Sequence, residues 1–91
     1  LLTPDTSGSI EFCMMVIPPH SDSFDSAHCH TGEEVAYFLG DGDSLEITIE
    51  ERTLRLQPDD SVRIAPYANH VWHNRTDKTA RVIFAITPPS F

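Results

Sequence analysis

Hydrophobic and polar residues alternate along much of this chain, in short stretches separated by turn residues. In the clearest stretch, Leu45, Ile47 and Ile49 alternate with two glutamates and a threonine. An alternation with a period of two residues is typical of a half-buried β-strand. Turn signals rich in Pro, Gly and Asp recur at intervals of roughly ten residues, which is typical of a sandwich or barrel. No stretch has a helical period, so the sequence predicts an all-β fold.

Seven strands are predicted from this pattern. They are Glu11–Ile17, Glu33–Leu39, Leu45–Ile49, a stretch around Leu54–Leu56, Ser61–Ala65, His70–Asn74 and Ala80–Ile86. The polar stretch Ser21–Ala27 is predicted to be a loop. The chain has 91 residues, with no linker and no internal repeat, so residues 1–91 are expected to form one domain.

Charge and composition exclude several function classes. The chain has 14 acidic and 6 basic residues and a net charge of −8, which argues against nucleic-acid binding and against binding to an anionic membrane surface. No apolar run approaches the ~20 residues of a membrane span, and no signal peptide is visible. The two cysteines, Cys13 and Cys29, form no CxxC pair, and reduced thiols are favoured over a disulfide. A cytoplasmic location is therefore expected.

The most specific feature is the segment His28-Cys29-His30-Thr31-Gly32-Glu33-Glu34. In a strand, His28 and His30 point to the same side, and a tight turn at Gly32 can carry the carboxylate of Glu34 back toward them. His70, which follows a loop and starts a predicted strand, is the best candidate for a fourth ligand. Surface histidines in a loop are the alternative interpretation, but the added Glu34 and His70 favour a site for Fe, Mn, Ni, Cu or Zn.

These segments resemble the two motifs of the cupin superfamily. His28–Gly42 resembles the first motif, in which HxH is followed by a Glu and an apolar strand. Asp59–Asn74 resembles the second motif, G(x)5PxG(x)2H(x)3N, with Asn74 as its closing Asn. The resemblance implies a double-stranded β-helix, or jelly roll, with one divalent transition-metal ion bound inside one end by His28, His30, Glu34 and His70.

The chain departs from the cupin motifs at four turn positions. Asp59 and Tyr67 stand where the second motif has glycines, and Ala65 stands where it has Pro. Asp41 takes the Gly position that ends the first motif, with Gly42 one residue later. All four ligand positions of the motifs are filled.

A narrower resemblance covers nearly the whole chain. Its start, Leu1–Pro4, its Gly32-Glu33-Glu34 step and its ending, Thr87–Phe91, are similar to the C-terminal sensor domain of XRE-type bacterial transcription regulators. The resemblance implies an effector domain that senses a small molecule, with any helix-turn-helix preceding Leu1. Because the ligand set is complete, a stand-alone metalloenzyme of the dioxygenase or isomerase type is the alternative.

A ligand pocket is expected beside the metal. By alternation, Phe38 shares a face with Glu34, and Trp72 and Asn74 share a face with His70, although core packing also explains the two aromatic residues. Arg63 is a candidate partner for a substrate carboxylate, with a solvated surface position as the alternative. Tyr67 lies in a loop expected near the barrel mouth, where it either contacts ligand or packs on the surface.

Two further expectations follow from the strand pattern. His73 faces away from His70 and is expected on the outer surface. The apolar strands Phe12–Ile17 and Val82–Ile86 would leave adhesive edges in so small a barrel, which predicts a homodimer that covers them.

Overall fold

The computed structural model of the protein describes residues 1–23 and 32–89. Within these residues it contains eight β-strands and no helix. The strands are β1 (Glu11–Ile17), β2 (Ser21–Ser23), β3 (Glu33–Phe38), β4 (Leu45–Ile49), β5 (Arg52–Leu56), β6 (Ser61–Ile64), β7 (His70–Asn74) and β8 (Ala80–Thr87). A first sheet has the order β1-β8-β3-β6 and a second sheet the order β2-β7-β4-β5. All strand pairs are antiparallel, and the predicted all-β jelly roll is confirmed.

The predicted strands are confirmed to within one or two residues at their ends. The loop predicted for Ser21–Ala27 was wrong for Ser21–Ser23, which form β2 at the edge of the second sheet by pairing with β7. Ser and Asp have low strand propensity, so the pattern indicated a loop, but pairing with a neighbouring strand overrides that local preference. The remainder of the predicted loop, residues 24–27, lies outside the described residues.

Alternation within the strands builds the core between the two sheets. In β3 the side chains of Glu34, Ala36 and Phe38 are buried, while their neighbours face outward. In β7 the buried side chains are those of His70, Trp72 and Asn74. Ten of the buried apolar side chains form one cluster, made of Ile17, Ala36, Phe38, Leu45, Ile47, Leu56, Ile64, Trp72, Ala80 and Val82. Glu34 and His70 are therefore the first buried residues of β3 and β7, and with Asn74 they are the buried polar residues among those that the structure describes.

Asp59 and Tyr67, which replace the two glycines of the second cupin motif, lie in turns and adopt the left-handed backbone conformation that glycine favours. The amide of Asp60 donates to the carbonyl of Gln57 at 3.0 Å, and Asp59 between them has a φ of 73°. The amide of Ala68 likewise donates to the carbonyl of Ala65 at 3.2 Å. Both turns have Pro at their second position and a left-handed third residue, as in a type II turn. The left-handed conformation of a non-glycine residue costs roughly 1–2 kcal/mol.

The outer surfaces of the two sheets differ in chemistry. On the first sheet, Phe12, Met14, Val16, Val35 and Tyr37 are each 39–54% exposed, and we call these five residues the apolar outer face. The outer side of the second sheet carries polar residues, among them Asp22, Glu46, Thr48 and His73. In the part of the chain that the structure describes, no helix is long and apolar enough to cross a membrane.

Candidate functional site

Glu34 and His70 meet inside one end of the sandwich. The Oε1 atom of Glu34 lies 3.6 Å from the Nε2 atom of His70, and the two residues are only 3% and 2% exposed. The other two predicted ligands, His28 and His30, lie outside the described residues. Within residues 1–23 and 32–89, no group of three or more His, Cys, Asp or Glu side chains is arranged to hold a metal ion. The structure therefore brings together two of the four predicted groups and leaves the other two undescribed.

The loop before β7 fixes the orientation of His70. The Nδ1 atom of His70 lies 3.3 Å from the carbonyl oxygen of Ala68. A carbonyl oxygen only accepts hydrogen bonds, so this contact assigns a ring proton to Nδ1. In the neutral ring the lone pair is then on Nε2, which lies 3.6 Å from Glu34 Oε1. The neighbouring Asn69 is held by Glu50, whose carboxylate accepts from the Asn69 amide at 3.0 Å and whose amide donates to the Asn69 carbonyl at 2.8 Å. Metal-binding histidines are commonly held through their second ring nitrogen by a partner such as a backbone carbonyl, which here is that of Ala68.

Glu34 is held at the start of β3, between β8 and β6. It lies opposite Ile86 on one side and Ile64 on the other, and both isoleucines are nearly inaccessible to solvent. Gly32 lets this end of β3 approach the end of β8: a Cβ atom there would lie 2.5 Å from the carbonyl oxygen of Pro88. The glycine predicted as part of a turn thus also permits a close backbone contact two residues before Glu34.

Burial and a second carboxylate change the acidity of Glu34. Loss of water around the side chain, followed by the negative charge of Glu11, raises the pKa of Glu34 from 4.5 to about 7. A carboxyl group with this pKa is partly protonated at neutral pH. A cation bound between Glu34 and His70 would favour the ionised form, so metal binding would release protons near neutral pH.

The raised pKa predicts how the metal-free protein responds to pH. The folded state keeps a proton on Glu34 that the unfolded chain has lost, so the free energy of unfolding should fall as pH rises from about 4.5 to 7. The full difference is about 3 kcal/mol. Urea unfolding in the presence of a chelator, compared between wild type and Glu34→Gln, would measure it. A pH dependence that is the same in both proteins would contradict the prediction.

The donor set and its spacing fit a divalent transition metal. Imidazole nitrogen and carboxylate oxygen are both ligands that such ions accept. Two donor atoms that each lie about 2.1 Å from one ion are about 3.0–3.6 Å apart for bond angles of about 90–120°. The 3.6 Å between Glu34 Oε1 and His70 Nε2 is within this range and beyond a direct hydrogen bond.

The predicted pocket residues on β3 and β7 lie at different depths. Trp72 is two residues from His70 on the same inward face and is 1% exposed. Phe38 and Asn74 are each four residues beyond their ligand, about 13 Å along the strand. Phe38 packs in the apolar core. The amide of Asn74 donates to the carbonyls of Ile17 at 3.0 Å and Lys78 at 2.7 Å, so this side chain joins distant loops.

Arg63 and Tyr67 lie outside the buried pair. Arg63 is exposed and lies opposite the outward-facing Val35, so the structure does not bring it together with Glu34 and His70. Tyr67 is 65% exposed in the loop that leads to His70, with a φ of 65°. His73 is on the outer side of β7 as predicted, where its Nδ1 atom lies 2.7 Å from a carboxylate oxygen of Asp22.

Sequence reasoning missed Glu11 as a neighbour of the buried pair. Glu11 and Glu34 are both opposite Ile86, on its two sides, so the two carboxylates belong to one inward row. The thiol of Cys13 lies 3.7 Å from Glu11 Oε2, on the same inward side. The signal was available in the parity of β1, since Glu11 is an even number of residues from the buried Ile17.

Several solved structures are similar to this fold. The Cupin_2 domain of an XRE family transcriptional regulator from Enterobacter cloacae has a TM-score of 0.80 and 22% identity, covering 98% of this chain and 93% of that one. The plu4264 protein from Photorhabdus luminescens has a TM-score of 0.81 and 16% identity, covering 94% and 70%. A cupin protein from Bacteroides fragilis has a TM-score of 0.74 and 22% identity, covering 92% and 70%. These likenesses concern the fold.

Sequence comparison identifies the family of the chain. No curated protein matches the chain. Residues 13–86 match the family model described as Cupin domain, and this range contains both motifs identified above. The match, together with the two-sheet jelly roll, shows that the chain belongs to the cupin domain family.

Proposed function

We propose that this cupin domain binds one divalent transition-metal ion through His28, His30, Glu34 and His70. The observation that supports this most is the buried Glu34–His70 pair, with donor atoms 3.6 Å apart. A buried ionisable pair is costly unless something compensates for the lost hydration, and a cation of this class would do so. When bound, the ion would supply a Lewis-acid anchor for an oxygen donor on a small molecule.

We further propose that the chain senses a small molecule rather than converting it. The support is the likeness in sequence to sensor domains of XRE-type regulators, together with a structural neighbour taken from such a regulator. In this proposal residues 1–91 form one cytoplasmic effector domain, and binding of DNA belongs to a separate helix-turn-helix. Trp72 and Tyr67 are the candidate ligand contacts, one inside the barrel and one on the loop before His70.

A ligand screen on metal-loaded protein tests the sensing role. Metabolites are screened by thermal shift on protein loaded with Fe(II), Ni(II) or Zn(II), and each hit is incubated with and without O₂ and analysed by mass spectrometry. A sensed ligand should stabilise the fold by about 2.7 kcal/mol at a hundred times its Kd and be recovered unchanged. Metal-dependent alteration of the hits would reject sensing and favour the dioxygenase or isomerase alternative.

Val82–Ile86 does not form an exposed edge, as the homodimer prediction assumed, because β8 lies between β1 and β3. The homodimer is supported instead by the apolar outer face. Its five residues lie on strands β1 and β3, with the half-buried Ile83 and Ala85 of β8 between them. A contiguous exposed apolar patch is typical of an interaction site. A patch with no acidic side chain among its five residues can meet a second copy of itself without bringing together the charge of this acidic chain.

Charge introduced into this face should dissociate the dimer. We expect wild-type protein to be dimeric at high micromolar concentration by light scattering, and Met14→Glu/Val16→Glu to be monomeric, because four new carboxylates would meet at one interface. Thr53→Glu, at an exposed position of the second sheet, is the control and should stay dimeric. A monomeric wild type at that concentration would reject the proposed interface.

A further inference from the structure

Paired residues form a row across the second sheet, from His70 on β7 through Ile49 on β4 to the cationic Arg52 on β5. Ile49 lies opposite His70 on one side and opposite Arg52 on the other. Arg52 is also two and four residues from Leu54 and Leu56, which pack in or against the core. By alternation, Arg52 therefore starts from the inward side of the second sheet, at the end that holds the Glu34–His70 pair.

The guanidinium of Arg52 is available for a ligand. The residue is exposed, and its side chain makes no hydrogen bond or ion pair within residues 1–23 and 32–89. Two strand spacings separate it from His70, or about 10 Å between Cα atoms. An arginine side chain can span much of that distance while its planar head keeps two parallel donors for a carboxylate or phosphate.

The inward-facing charged residues at this end of the barrel are ordered. In the first sheet the inward row runs Glu11, Ile86, Glu34 and Ile64, and in the second sheet it runs His70, Ile49 and Arg52. β1 is an edge strand of the first sheet and packs beside β2, whereas β5 is the edge strand of the second sheet farthest from β2. Glu11 and Arg52 therefore start from strands on opposite sides of the buried pair. An anionic group would be repelled on the β1 side and attracted on the β5 side.

We propose that the ligand of this site carries, besides the oxygen donor held at the metal, a second anionic oxygen group that binds Arg52. This inference rests on the proposed metal site. Arg52 then binds the anionic group for which the sequence had suggested Arg63, whose side chain starts from the outer side of β6.

Matched pairs of small acids test the proposal. Binding of glutarate, 3-phosphonopropionate and valerate to Ni(II)-loaded protein is measured by titration calorimetry, after elemental analysis of each sample. We expect the two dianionic probes to bind at least about tenfold more tightly than valerate. Arg52→Gln should reduce this preference to within about twofold, Arg52→Lys should retain part of it, and Arg63→Gln should leave it unchanged. The better of the two dianionic probes distinguishes a carboxylate from a phosphate ligand.

The possible failures are separable. Samples without bound nickel would overturn the metal site itself, and with it this inference. Nickel-loaded protein that shows no preference for the dianionic probes, or binds none of the three at millimolar concentration, would overturn the role of Arg52 alone. A preference that persists in Arg52→Gln would also overturn it, because the second anionic group would then be bound elsewhere.

Discussion

His70→Ala is expected to remove most of the metal from the protein, while the wild type carries close to one divalent transition-metal ion per chain. The substitution deletes the one imidazole of the proposed set whose orientation is visible, with Nδ1 directed to the Ala68 carbonyl and Nε2 directed to Glu34. Removing it also leaves a buried carboxyl group with less compensation. Elemental analysis of protein purified and reloaded under identical conditions would measure the loss.

The same strand supplies the control for this experiment. His73→Ala removes an imidazole three residues away, on the outer side of β7, and should leave the metal content unchanged. In the wild type, metal binding should weaken as pH falls below about 7, because the carboxyl group of Glu34, whose pKa is raised, takes up a proton and because neutral imidazole is the ligand form. Equal metal contents in the wild type and in a His28→Ala/His70→Ala double variant would reject the metal assignment.

The chain pattern predicted the faces of the strands more reliably than the positions of side chains along the barrel axis. Alternation placed Glu34 and Phe38 on one face and His70 and Asn74 on another, and burial confirms both pairs. It did not show that Phe38 packs in the apolar core or that backbone carbonyls bind the amide of Asn74. Those contacts decide whether a side chain lines a site or fills the core.

Contacts between residues that are distant in the chain could not be predicted from the sequence either. The amide of Asn74 finds its partners at Ile17 and Lys78, and nothing in the local sequence indicates the first of them. Likewise, alternation puts Arg52 on the face of Leu54 and Leu56, but only the pairing of Ile49 with both His70 and Arg52 shows that Arg52 is aligned with His70.

The replaced glycines of the second motif show how local geometry survives a change of residue. Asp59 and Tyr67 adopt φ values of 73° and 65°, so the turns keep the backbone that glycine would give at some cost in strain. Asp59 has a visible compensation, since its carboxylate accepts a hydrogen bond from the Tyr37 hydroxyl at 2.5 Å. Tyr67 makes no such bond within the described residues, and this strain at an exposed aromatic residue, three positions before His70, supports its proposed role as a ligand contact.

Gly32→Ala should destabilise the protein by about 3 kcal/mol, the upper part of the range for overpacking. The new Cβ atom would lie 2.5 Å from the Pro88 oxygen, 2.8 Å from the Thr87 oxygen and 2.9 Å from the Thr87 carbonyl carbon. All three are backbone atoms at the end of β8, where Glu33 pairs with Thr87, so no side chain can rotate away. The melting temperature of the metal-free protein should fall by more than about 10 °C.

The substitution should also weaken metal binding in the molecules that remain folded. Glu34 is two residues after Gly32, so a shift of the β3 end that relieves the clash also moves the carboxylate away from His70. Gly8→Ala is the matched control, because a Cβ atom at Gly8 meets no atom within 4 Å, and it should change stability by less than about 0.5 kcal/mol. Unfolding and metal titration of both variants would test this. If Gly32→Ala were as stable as Gly8→Ala, the ends of β3 and β8 would not be in the close contact that holds Glu34 in place.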